Sequence, residues 1–292
     1  MSMPQSYRDR IQQLKREFEQ LKPGKQSLLQ MIDEAEVSEN VYNSNAIENS
    51  TLTLRETEKI LLELEVSRDV SLREVYEAKN LARVVEYIRS KSNVEDVTLE
   101  LMLLLHQMLL SGIDDKIAGR FRKQNEYVRV GTHIAPGPEQ VERALEQALV
   151  EYASDHETFF SDKIAKFHLE FERVHPFIDG NGRIGRVLIN YQLLRLGFSP
   201  VIIRNKEKSD YYTAFRAYQD NKNTEMMERI IALAVIESLH KRTAYLKGQT
   251  IMGVSEYAKK SDQSVNTLLN AARRQTIPAF RENGKWMIGG SS

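Results

Sequence analysis

Residues 175–186, HPFIDGNGRIGR, constrain this chain more than any other segment. Apolar residues recur at helical spacing on both sides of it. Ile164, Phe167, Phe171 and Val174 come before, and Ile184, Val187, Leu188 and Tyr191 come after. Such stripes mark helices that bury one face. The stretch between them carries Gly180 and Gly182, which let a backbone turn tightly and approach a neighbour closely. It therefore reads as a helix–loop–helix junction, with the second helix starting at about Asn181 to Arg183.

The rest of the chain also reads mainly as helix. Ile11, Leu14, Phe18 and Leu21 form an apolar stripe that LKPG stops. Thr53 and Glu56 spell a capping box ahead of an apolar face. Further helices are predicted near residues 72–88, 99–110, 141–153, 210–219 and 224–246. YVRVGTHI alternates and reads as a small hairpin. After Lys247 and Gly248 the composition shifts. Two short helices are expected there, with Ser255 and Ser264 as N-caps, and then a hairpin turned at Asn283 and Gly284. The expected architecture is a mainly α helical bundle with a small β-hairpin, followed by a small winged helix-turn-helix domain. Three regions are drawn: an N-terminal helical region at 1–95, a core at 96–246 and a tail domain at 250–292.

Lys+Arg and Asp+Glu both count 41, so bulk charge argues for neither a nucleic-acid nor a membrane partner. The absence of cysteine excludes disulfides, thiolate catalysis and Cys-type zinc sites. The N-terminus is polar and charged, and no window reaches the roughly 18 apolar residues of a membrane span. A soluble, cytoplasmic protein is the expectation.

Within the junction, the free N–H groups and positive dipole end of the second helix make an anion site. Arg183 and Arg186, three residues apart, are expected on one side of its first turn. Two guanidiniums there suit a polyphosphate. Asp179 is a carboxylate able to hold Mg²⁺, which binds phosphates through few carboxylates. His175, neutral near pH 7, can serve as general base on a hydroxyl. Gly180, Gly182 and Gly185 also spell G-x-G-x-x-G. A dinucleotide site, however, needs a strand before it and an acid about 20 residues later. Here a helical pattern precedes, and VIIRNK offers no acid. No G-x-x-x-x-G-K-[ST] occurs. The plainer alternative is a helix–helix turn with solvated arginines. A base, a metal carboxylate and an anion cradle within twelve residues argue against it.

These residues resemble the Fic family motif, H-x-F-x-[DE]-G-N-G-R-x-x-R. His175, Phe177, Asp179, Gly180, Asn181, Gly182, Arg183 and Arg186 match every defined position. The likeness is expected to run from about 41 to 246. It implies transfer of AMP from ATP to a Ser, Thr or Tyr hydroxyl of a target protein, with Mg²⁺ as the metal. It further implies that His175 takes the hydroxyl proton, Phe177 anchors the loop and Asp179 holds Mg²⁺. Gly180, Asn181, Gly182 and Arg183 would cradle phosphates, and Arg186 would meet the γ-phosphate. The hairpin at 128–134 resembles the family's flap, on which a target docks as an added strand. Tyr212 resembles an aromatic that packs on the nucleobase. An ordinary surface hairpin and a core tyrosine are the alternative readings of these last two.

The run SNAIEN is similar to the family's inhibitory motif, [ST]-x-x-x-E-[GN], at Ser44, Glu48 and Asn49. Glu48 would then pair with Arg186 and occupy the charge meant for the γ-phosphate. The tail resembles excisionase-like and MerR-like winged-helix units. Residues 264–274 would be the recognition helix, presenting Asn266, Asn270, Arg273 and Arg274, with Arg281 and Lys285 on the wing. The expected function is a self-inhibited protein adenylyltransferase. The rival reading is a DNA-binding regulator with a nucleotide-sensing Fic domain. Expected partners are a hydroxyl-bearing target on the flap and DNA through the tail, with no membrane and a homodimer left open.

Overall fold

The computed structural model describes residues 5–66, 70–92 and 96–290. The chain begins with helices α1 (Gln5–Leu21) and α2 (Gln26–Ala35). Next come α3 (Val37–Ile47), α4 (Leu54–Glu58) with one π turn after it, α5 (Leu72–Lys91) and α6 (Leu99–Leu110). Strands β1 (Arg129–Val130) and β2 (His133–Ile134) precede α7 (Val141–Ser154), α8 (Phe160–Val174) and α9 (Asn181–Arg195). Then follow α10 (Lys208–Asn221), α11 (Glu225–Leu246), β3 (Thr250–Gly253), α12 (Val254–Lys260) and α13 (Val265–Arg273). Strands β4 (Ala279–Glu282) and β5 (Lys285–Gly290) end the described chain. Among the described residues no helix is long and apolar enough to cross a membrane.

These elements form two compact units. One holds Val37–Gly197 and Ile202–Ile230. The other gathers the N-terminal stretch through Glu36, Phe198–Val201 and the residues from Ile231 onward.

In the first unit the apolar stripes meet as their spacing predicts. Phe167, Phe171 and Val174 of α8 share a core with Ile184, Val187, Leu188 and Tyr191 of α9 and with Leu105 and Leu109 of α6. Helix α9 is buried almost all round, and even Asn181, Arg183 and Arg186 are inside. A polar group buried in this way needs a partner, and this sets the design of the site. Local capping fixes the surrounding helices. Thr53 and Glu56 form the expected reciprocal box at the start of α4. Ser71 accepts from the Glu74 N–H at α5, and Thr98 from the Leu101 N–H at α6. The hairpin is short, pairing Arg129 with Ile134 and Val130 with His133.

In the second unit the three strands lie in the order β3-β5-β4. The β4–β5 hairpin turns at Asn283 and Gly284, both at positive φ as a tight primed turn requires. Strand β3 has no counterpart in the sequence reading. Ser255 lies inside α12, whose N-cap is Gly253, and Ser264 stands at the α13 N-cap without a side-chain capping bond. Arg281 does not stand free on the hairpin. Its guanidinium donates to Glu237, with Nη2 2.6 Å from Oε2, and lies 4.7 Å from the Trp286 ring centroid. Asn270 is likewise engaged, accepting from Arg273 Nη1 at 3.1 Å.

The regions drawn from the sequence follow composition, whereas the compact units follow packing. The outer limits of the first region, residues 1 and 95, lie outside the described residues. Charge is what ties α2 to α11 and to the terminal hairpin. Arg242 is fully buried, with Nη2 at 2.5 Å from Asp33 and 2.7 Å from Glu36. Lys241 bridges Glu36 at 3.1 Å and Glu282 at 3.3 Å. Removing one partner of such a pair leaves the other charge stranded in the interior. Arg242→Met is therefore expected to lower stability by about 3–5 kcal/mol. The check is the urea midpoint followed by circular dichroism, and an unchanged midpoint would contradict it.

Candidate active site

The loop between α8 and α9 is a double reversal. His175 caps the C-terminus of α8 in the left-handed region, at φ 49° and ψ 62°. Gly180, at φ 83°, is the N-cap of α9. A Cβ at Gly180 would lie 3.1 Å from Leu109 and 3.3 Å from Leu110, so both conformation and space demand glycine. Asn181, expected to cradle phosphate, spends its side chain inside the loop. Its Oδ1 accepts from the Phe177 N–H and its Nδ2 donates to the Phe177 carbonyl, each at 2.9 Å. Phe177 is fully buried and stacks on His106 with ring centroids 3.8 Å apart.

Two supports of this loop escaped the sequence reading. His106 Nδ1 accepts from the Gly119 N–H at 3.1 Å, so its proton sits on Nε2, which reaches the Asp179 carbonyl at 3.0 Å. Burial lowers this imidazole to about 4 and keeps it neutral. A histidine inside the apolar run LMLLLHQMLL was the available signal. Arg122 is buried and donates to the carbonyls of His175 and Pro136 at 2.8 Å and of Glu126 at 2.9 Å. It pins the His175 turn to the base of the β1–β2 hairpin. No spacing pattern marks it, because its partners are backbone atoms distant in sequence.

Arg183 and Arg186 do not serve one shared site. Arg183 Nη1 lies 3.1 Å from Glu77, and its Nη2 lies 3.1 Å from Asp179 Oδ1. The other Asp179 oxygen meets Arg73 at 2.5 Å. Burial opposes the Asp179 charge. Arg183, the Gly180 N–H and Arg73 outweigh it and hold the carboxyl below its usual range. Arg186 turns instead to the end of α3. It donates from Nε to Ser44 Oγ at 3.0 Å, and from Nη2 to the Ser44 carbonyl at 2.7 Å and to Glu48 Oε1 at 2.9 Å.

The end of α3 explains the spelling of the SNAIEN run. The Asn49 N–H bonds to the Ala46 carbonyl at 3.1 Å and the Ser50 N–H to the Asn45 carbonyl at 3.0 Å, which is a Schellman closure. Glu48 is thus the capping residue after α3. Asn49 takes the left-handed position, at φ 70°, that such a closure needs. Arg186 docks where the helix presents negative dipole, free carbonyls and a carboxylate together. Gly182 leaves room for this, since a Cβ there would collide with Glu48 Oε1. Asn49 Oδ1 accepts from Lys208 Nζ at 2.7 Å.

A cleft of about 690 Å³ opens above this pair. Glu48, His175, Gly182 and Tyr212 line it, and so do Arg129 and Thr132 of the hairpin. Tyr212 is half-buried, with its hydroxyl 3.4 Å from the Ile47 carbonyl. The wholly buried aromatic is its neighbour Tyr211, which meets His168 Nε2 at 2.7 Å. Burial lowers His175 to about 4, so its imidazole is neutral and able to accept a proton near pH 7. Among the described residues there is no cluster of three metal-ligating side chains. Asp179 still fits Mg²⁺. It is one hard carboxylate, 35% exposed, beside an anion site, and Mg²⁺ completes its shell with phosphates and water.

Comparison with known proteins shows what this domain is similar to. Residues 96–193 match the family model described as the Fic/DOC family. The chain is 33% identical over 253 residues to the protein adenylyltransferase Fic of Drosophila melanogaster, across 84% of this chain and 51% of that one. It thus spans about half the length of that curated relative. A Fic-domain-containing signalling protein from Bacteroides thetaiotaomicron superposes with a TM-score of 0.74 at 25% identity, covering 82% of this chain and 98% of the other. A Fic family protein from Desulfovibrio desulfuricans shares the fold over 97% of this chain and 96% of its own, with a TM-score of 0.64 at 20% identity. The chain carries a Fic/DOC-family domain.

Three histidines of the first unit, shifted by burial, set an acid limit. Burial lowers His106 and His175 to about 4 and His168 to about 3. An unfolded histidine titrates near about 6.5, so below that pH the unfolded state binds protons that the native state refuses. Stability must then fall as pH falls, by up to about 1.4 kcal/mol per pH unit for each histidine. Glu172, pushed up to about 8, acts in the opposite direction and offsets one of the three. Melting temperature is expected to drop steadily from about pH 6.5 to about pH 4.5. A flat profile over that window would contradict it.

Proposed function

We propose that this protein transfers AMP from ATP to a hydroxyl of a target protein, and that Glu48 restrains the reaction by holding Arg186. The observation that carries this is the Arg186–Glu48 pair at 2.9 Å, whose Glu48 lines the same cleft as a neutral, partly exposed His175. Catalysis of this kind rests on positioning and on fixed charge.

In this reading the target lays an extended segment along the β1–β2 hairpin, which fixes its hydroxyl at the mouth of the cleft. His175 takes the hydroxyl proton, the oxygen attacks the α-phosphorus and pyrophosphate leaves. The amides at the start of α9 and the Arg183 guanidinium stabilise the phosphate charge. Asp179 would hold Mg²⁺, which would supply positive charge to the phosphates. Tyr212 lies in the cleft where a nucleobase would pack. Arg186 is suited to the γ-phosphate, but only after Glu48 has withdrawn from it. Asn181 serves indirectly, by holding the loop that presents the phosphate-binding amides.

Glu48→Gly removes the carboxylate while leaving Arg186 in place. With ATP and Mg²⁺ this variant is expected to gain the mass of one AMP on itself or on an added target. Its rate should exceed that of the unaltered protein by about 10- to 100-fold, the worth of one charged hydrogen bond. His175→Ala in the same background should abolish the gain. Intact-mass spectrometry reads both, and no mass gain in Glu48→Gly would sink the proposal.

A further inference from the structure

One turn before His175 on α8 stands a largely buried acid that no motif marks. Glu172 Oε2 lies 3.7 Å from His175 Nδ1, and the Glu172 backbone carbonyl lies 3.3 Å from the same nitrogen. One residue therefore presents two oxygens to one side of the imidazole. Glu172 Oε1 is buried and makes no hydrogen bond. A buried polar atom left without a partner calls for an explanation, and sites of chemistry are where such atoms are tolerated. Room for this carboxyl comes from Gly185, where a Cβ would lie 2.7 Å from Oε1. Gly185 occupies an undefined position of the loop motif.

We propose that Glu172 is a positioning residue for His175, closing the Nδ1 side of the ring so that the hydroxyl proton passes to Nε2. This rests on the transfer reading above. In that step the hydroxyl O–H bond breaks toward Nε2, and the oxygen forms its bond to the α-phosphorus. The bridging P–O bond breaks, and its electron pair leaves with pyrophosphate. His175 is then an imidazolium whose Nδ1–H faces the carbonyl and carboxyl of Glu172. An ionised Glu172 favours that cation and a protonated one does not.

Other charged and titratable groups face this pair from several elements. They are Glu48 after α3, Arg186 on α9, Tyr211 on α10 and His168 on α8 itself, with Arg122 and His133 beside the ring. Burial first, and then the charge of Glu48, raises Glu172 to about 8. Withdrawal of Glu48 therefore shifts the Glu172 titration downward and strengthens the base when the restraint is released.

The test is NMR of the full chain, following the ¹⁵N signals of His175 from about pH 5 to about pH 9. The unaltered protein should show an inflection near about 8 from the neighbouring carboxyl. It should move to lower pH in Glu48→Gly and vanish in Glu172→Gln. Alongside, Glu172→Gln placed in the Glu48→Gly background should lower kcat about 10- to 100-fold with KM for ATP unchanged, and Glu172→Asp should recover part of the loss. An inflection that persists in Glu172→Gln overturns the proposal. So does a variant whose KM rises at constant kcat. If Glu48→Gly transfers nothing, the transfer reading fails while the NMR arm still decides whether Glu172 acts on His175. If Glu48→Gly is active and Glu172→Gln leaves kcat unchanged, the positioning role alone fails.

Discussion

Arg186 sits on a helix that is buried on nearly every side, and a guanidinium cannot shed its charge there. Burial works against that charge, yet Tyr211 and Glu48 hold it firmly protonated. The fold must therefore bring an anion or a row of carbonyls to the middle of α9. It does so with the closing turn of α3, where Ser44 and Glu48 meet the guanidinium. In the proposed function the same need suits Arg186 to a phosphate, because any ligand replacing Glu48 must match its charge. In the proposed function, restraint and substrate binding are two ways of satisfying one buried cation, and so they exclude each other.

In that proposed function, the rest of the first unit sets this competition beside the base, His175. His175 is forced out of helical geometry at the end of α8. Arg122 pins its carbonyl, and Phe177 locks the loop through stacking on His106. Asn181 converts the loop's backbone into a closed ring of hydrogen bonds. The glycines matter for what they leave vacant, at Gly180 for a left-handed cap and at Gly182 for Glu48 itself. The second unit follows different rules. There a buried charge network around Arg242 and Glu36 joins elements distant in sequence.

Much of this was legible in advance, for identifiable reasons. Apolar spacing located α8 and α9 because burial on one face leaves a period of 3.6 in the sequence. The capping box at Thr53 and the turn at Asn283 and Gly284 were legible because their geometry accepts few residue types. Strand β3 was not legible, since four residues joined to a distant hairpin carry no local signature. The burial of Arg281 against Glu237 was equally hidden, because one arginine looks the same on a wing and in a buried pair.

At the centre of the site the division is sharpest. By itself the sequence determined which groups are available: a histidine, a carboxylate, two arginines and the glycines that let the loop form. Only the tertiary structure decided how those groups are shared. It sent Arg183 to Glu77 and Asp179, sent Arg186 to Ser44 and Glu48, and turned Asn181 inward. It also set Glu172 against His175. The physical reason is that chemical identity is fixed residue by residue. The partner of a buried charge, by contrast, depends on which distant segments packing brings within a few ångströms of it.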